Sequence, residues 1–183
     1  MIRHAFALVV MATPAFAQDT GLAAWNKIHE VFSHPRCAYC HVGPDNVPLV
    51  SLSESPANPR AHGMNINAGK SRVGSETVAC NACHTPHNSP LPHGAPGAHV
   101  WALPPVEMQW FGKSSAEICA QVKDRARNGN RSIGDIADLV EHEGLVHYGW
   151  APGPGREPAP YSATQLVEFI KQWDAAGAPC PAQ

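Results

Sequence analysis

The chain has 183 residues, with 13 Lys+Arg against 15 Asp+Glu and a formal charge of −2. That balance offers no basic footprint for nucleic acid, and beyond the first residues no stretch is apolar over the ~20 positions a bilayer span needs. With 18 Pro, 15 Gly and only 7% aromatic residues, the side chains alone make a poor apolar core, which points to one or two small, loop-rich domains.

The chain opens on the positive residues Arg3 and His4, an apolar run from Ala5 to Met11, and the small-x-small pattern Ala15-Phe16-Ala17. This is the layout of a secretory signal, expected over 1–17 and too short in its apolar part to anchor a membrane. The mature chain then starts at Gln18, carries no membrane span, and belongs in the periplasm of a bacterium.

Leu22, Trp25, Ile28, Val31 and Phe32 recur at helical spacing, with Thr20 as N-cap and Pro35 as the stop. The expected helix leads into Cys37-Ala38-Tyr39-Cys40-His41. A second word of the same form, Cys80-Asn81-Ala82-Cys83-His84, follows after a stretch punctuated by Pro and Gly. C-x-x-C-H is the c-type haem attachment pattern. Two thiols separated by two residues reach the two vinyl groups of one porphyrin edge and become thioethers. The adjacent imidazole then lies under the iron. A redox C-x-x-C pair or half a zinc site needs no such His, and here it follows both times. The expected cofactors are therefore two covalent haems, on Cys37 and Cys40 and on Cys80 and Cys83, with His41 and His84 as proximal iron ligands. Haems also supply the apolar mass that the composition lacks. Folding is expected to couple to their binding, as in metal-dependent domains.

Between the words lies Arg60-Ala61-His62-Gly63-Met64-Asn65, which offers two iron-binding side chains two residues apart. His62 is the foremost candidate for a distal ligand, because Gly63 lets the backbone approach a flat group closely. Met64 is its rival. His34, just before Cys37, is placed to reach a neighbouring haem. Met108, His142 and His147 are further candidates, and a five-coordinate iron is the remaining option.

After a Pro/Gly/His-rich wrap over 85–99 the composition changes. Trp101, Trp110 and Phe111 bring aromatic mass. Ser114-Ser115-Ala116-Glu117 is a capping box for a helix through about Lys123, and Ser132-Ile133-Gly134-Asp135 opens a second, with Ile136, Leu139 and Val140 inward. Ser162-Ala163-Thr164-Gln165 caps the last, which buries Leu166, Phe169, Ile170 and Trp173 and ends at Gly177. No strand alternation stands out. The expected class is mainly α with extensive irregular loops. The expected divisions are a signal at 1–17, a dihaem-binding region at 18–99 and a helical region at 100–183. Cys119 and Cys180 lie in no C-x-x-C word and are expected to pair in an oxidising compartment. The loop residues Asn128–Arg131, His142, Trp150 and Pro152–Arg156 are read as a surface for a redox partner.

The two haem words resemble those of dihaem c-type cytochromes. Leu103-Pro104-Pro105-Val106-Glu107-Met108-Gln109-Trp110, Ile118-Cys119 with Lys123-Asp124, Asn128-Gly129 and the ending Gly177-Ala178-Pro179-Cys180-Pro181 narrow the likeness. They resemble small exported cytochromes labelled as isoquinoline 1-oxidoreductase subunits, associated with molybdenum hydroxylases. The resemblance implies a cytochrome c-like fold and a carrier that takes electrons from such an enzyme and passes them towards the respiratory chain or another cytochrome. It does not imply a catalytic subunit: the chain has neither a dinucleotide fingerprint nor a further cysteine set for an iron–sulfur cluster. The alternative expectations are a peroxidatic haem enzyme with one five-coordinate iron, and a haem-bearing structural or sensing subunit.

Overall fold

A computed structural model describes residues 14–51 and 59–182. Most of the expected signal lies outside those residues. Its last four positions form the start of α1 (Pro14–Phe32). Thr20 thus falls inside the helix rather than at its cap. Five further α-helices follow: α2 (Pro35–Ala38), α3 (Ser115–Lys123), α4 (Ile133–His142), α5 (Gly144–His147) and α6 (Ala163–Ala175). The fold is mainly helical, as expected. The one-turn helices α2 and α5 were not expected, nor was a two-residue antiparallel ladder pairing β1 (Leu49–Val50) with β2 (Arg60–Ala61). Among the described residues no helix is long and apolar enough to cross a membrane.

The core is a helical cluster drawn from both ends of the chain. Trp25 of α1 and Trp173 of α6 are fully buried, with ring centroids 4.9 Å apart. Ile28 and Val31 extend that face, and α4 adds Ile136 and Val140. Each indole N–H is satisfied: Trp25 donates to Ser115 Oγ at 2.8 Å and Trp173 to the Pro179 carbonyl at 2.9 Å. The apolar face of α1 therefore packs chiefly on α6. Only its last residue, Phe32, reaches the cavity described below.

All three capping boxes form, each with the Ser hydroxyl on the N3 amide and the N3 side chain on the Ser amide. Replacing Ser162 by Ala is expected to cost about 1 kcal/mol. That corresponds to a fall of about 2–4 °C in the melting temperature, read by circular dichroism. Beyond α6 the chain turns at Gly177, whose φ of +81° suits glycine at a helix C-terminus. The tail then crosses back to α3. Cys180 is disulfide-bonded to Cys119, as expected, and Lys123 Nζ donates to the Ala178 carbonyl at 2.6 Å.

The irregular half is held by side chains rather than by ladders. Arg72 donates to the carbonyls of Val42, Gly43 and Pro104 and to Asn46 Oδ1, which joins three loop segments. Asn88 donates to the Ala151 carbonyl and accepts from the Gly97 amide. Arg156 donates to the carbonyls of His93 and Gly94. The loops read from sequence as a partner surface are part exposed, with Gly129, Asn130, His142, Pro154 and Gly155 at the surface, and part engaged within the fold. Arg156 clamps the 85–99 wrap. Asn128 is buried, its amide bonded to the Val122 and Arg131 carbonyls.

Candidate haem sites

The first word is presented by α2. His34 caps that turn, its Nδ1 accepting from the Arg36 amide at 3.3 Å, and Pro35 sets the first helical residue. Cys37 follows in the turn and Cys40 just after it. Burial pushes the Cys37 thiol up to about 12 and the Cys40 thiol up to about 11. A reactive redox pair has the opposite character, a thiol pulled down towards the thiolate.

His41 is held on two sides. Its Nδ1 donates to the Met108 carbonyl at 2.7 Å, and its ring stacks on Trp110 with centroids 3.4 Å apart and planes 3° apart. Trp110 in turn stacks on Phe32 at 4.4 Å. Burial pulls the imidazole down to about 3, against the raising effect of the Met108 bond. The ring is therefore neutral, with its proton fixed on Nδ1 and a lone pair on Nε2. That is the ligand form of histidine, oriented as a bonded outer shell orients a metal ligand.

The second word repeats the arrangement on unrelated backbone. It lies on a 3-10 turn, Cys80–Ala82, with Cys80 half-buried and Cys83 exposed. His84 Nδ1 donates to the Pro96 carbonyl at 2.8 Å, and its ring stacks on Trp101 at 4.0 Å and 10°. Burial again lowers its pKa, with His62 adding to the effect after the opposing Pro96 bond.

His62 is the sequence candidate that the fold brings to this site. Its ring centroid lies 6.1 Å from that of His84, with planes 59° apart. Its Nδ1 donates to the Gly63 carbonyl at 3.0 Å, which leaves Nε2 free. One metal shared by two imidazoles requires about 6 Å between ring centroids, given metal–nitrogen bonds of about 2 Å on each side. Gly63 leaves open space, with no atom within 4 Å of the place a Cβ would occupy. Met64 lines the same small recess but is 77% exposed. His34 lines neither site, being occupied as the cap of α2. His142 and His147 are exposed, each bonded to a carbonyl of α4, that of Asp138 and that of Glu141 respectively.

The two sites differ in depth. The first word faces a cavity of about 330 Å³ walled also by α4, α5 and the 102–110 loop. That is within the range of about 300–1,000 Å³ for cofactor sites. The second word faces a recess of about 30 Å³ near the surface. Leu103 lines both, and Cys80 lies near enough to Cys40 to raise its thiol slightly.

A further observation tests the fit. The indole N–H groups of Trp110 and Trp150 are buried without an acceptor, and both residues line the first cavity. Buried donors left unpaired cost about 1–3 kcal/mol each. The buried Arg36 and the half-buried Arg131 stand in the same wall. The cavity lining is mostly apolar and includes two arginines that carboxylates could pair with, so the residues fit a haem. The stacking tryptophans and the two carbonyls were not read from sequence as site residues. Their only sequence signal was the aromatic mass at Trp101 and Trp110. The chain matches no protein-family model, no curated protein and no solved structure.

Proposed function

We propose that this chain is an exported dihaem c-type cytochrome that carries electrons between a redox enzyme, of the molybdenum hydroxylase kind, and the respiratory chain. The observation that carries the reading is the repeated setting of the two words. Each ends in a histidine whose Nδ1 is tied to a backbone carbonyl, whose ring lies on a tryptophan, and whose Nε2 is free. Two separate stretches of chain, one on a short helix and one on a 3-10 turn, arrive at one arrangement suited to an axial ligand.

In this reading Cys37 and Cys40 hold one haem and Cys80 and Cys83 the other. His41 and His84 bind the irons, and His62 completes the second iron's ligand set. The haems supply one-electron chemistry. The protein's part is to fix both imidazoles, to keep water from the first site with α4 and α5, and to hold the sites side by side across Leu103. Two imidazoles on the second iron favour a lower potential than a Met ligand would give. The Cys119–Cys180 disulfide agrees with an oxidising compartment such as the periplasm. A peroxidatic enzyme is less well supported. Arg36 is committed to the Glu157 carbonyl and the Tyr148 hydroxyl, and Glu143 to the Val146 amide, so neither of these charged groups lining the first cavity is free to act as acid or base.

A redox-titrated optical spectrum of the purified holoprotein tests the proposal. The expected result is two covalent haems per chain, titrating as two one-electron steps. Absence of covalent haem would overturn it. His62→Ala is expected to turn the second haem from low-spin to high-spin. An unchanged spectrum would remove His62 from the ligand set.

A further inference from the structure

The two sites share a proximal arrangement and differ on the opposite side. The second has His62 at the right separation from His84. Among the described residues lining the first cavity, the other side chains able to bind iron are Met108, Tyr148 and Glu143.

Met108 is on the wrong side. Its carbonyl receives the Nδ1–H of His41, and Nδ1 of a ligand imidazole points away from the metal. Met108 therefore stands behind His41, and its short thioether arm cannot round the rim of a rigid macrocycle. Tyr148 is engaged through its hydroxyl with Arg36 at 3.2 Å, and burial holds its phenol protonated. Glu143 spends its carboxylate on the Val146 amide at 2.7 Å, capping α5. The remaining surface given by α4, α5 and α6 is aliphatic: Ile136, Leu139, Val140, Leu145, Val146 and Leu166. Residues 52–58 contain neither His nor Met.

We infer that the chain gives the first haem a single axial ligand, His41, and walls the other side with aliphatic side chains, making a site for a small uncharged diatomic gas. The inference rests on the dihaem reading. Its chemistry follows from the lining. Among the described residues the Arg36 guanidinium and the Glu143 carboxylate are engaged elsewhere, so the largely aliphatic wall is poorly suited to hold an anion or cleave a peroxide, but it admits a neutral, weakly polar molecule at low desolvation cost.

Carbon monoxide is the probe, added to the dithionite-reduced holoprotein and followed in the Soret region, beside a count of covalent haem. Wild type is expected to bind one carbon monoxide per two haems, and His62→Ala to bind two. Two covalent haems with no carbon monoxide response would overturn the inference and leave the dihaem reading standing. One equivalent bound by wild type and none by a Cys80→Ala, Cys83→Ala variant that keeps only the first haem would also overturn it, because the responsive haem would then be the second. Two equivalents bound by wild type would uphold the open first site and remove His62 as a ligand. A chain without covalent haem would instead defeat the dihaem reading itself.

Discussion

Replacing both Cys37 and Cys40 by Ala is expected to unfold the helical cluster, not merely to remove one haem. The first word faces a partly open cavity of about 330 Å³ lined by residues of α4, α5 and α6. Filling it with an apolar group removes that lining from water, worth roughly 1.5–3 kcal/mol for each large apolar side chain fully covered. Whole domains are stable by only about 5–15 kcal/mol. The same change at Cys80 and Cys83 concerns a recess of about 30 Å³ with much less apolar lining to cover. The two double variants should thus behave very differently. The first should lose most of its far-ultraviolet helical signal or melt near room temperature. The second should keep its fold with half the haem. Equal melting temperatures would contradict the assignment of the first cavity as the stabilising one.

The second large effect is expected at the disulfide. Cys119 and Cys180 are 61 residues apart, and opening a loop of that length removes about 4 kcal/mol in the chain-entropy account. For a chain of this size each kcal/mol moves the melting temperature by about 2–4 °C, so Cys119→Ala with Cys180→Ala should lower it by about 8–16 °C. Neither cysteine lines a haem site, so the haem spectrum should not change. A drop of only a few degrees would show that the Lys123–Ala178 and Trp173–Pro179 hydrogen bonds hold the tail unaided.

What could be read from the sequence was what is local. The capping boxes at Ser114, Ser132 and Ser162 were legible because each is settled within four residues. The two C-x-x-C-H words were legible because each is complete within one pentapeptide. Thr20 reads as a cap only while residues 14–17 are set aside as leader, and those residues are already helical. The β1–β2 ladder was missed because two residues carry no period. Met108 is the instructive case. Its sequence neighbourhood advertised a thioether for iron, whereas the fold uses its backbone carbonyl to orient His41. Carbonyls have no residue-type signature, and neither does the chain path that brings Trp110 and Trp101 onto the two imidazoles. His62 lay between the reach of both methods. The sequence singled it out, and only the fold supplied its distance to His84.

The wall of the first cavity has a consequence for the order of assembly. It combines residues 32–41 with α4, α5 and Leu166 of α6, so it closes only after nearly the whole chain has emerged. Until then Cys37 and Cys40 lie on an open strand, accessible to whatever machinery joins a group to them. Closure then waits on contacts spanning more than a hundred residues, the slow kind in folding. Late closure leaves time for attachment before the helices shut over it. A circular permutation that made α4 to α6 before the first word would reverse that sequence of events.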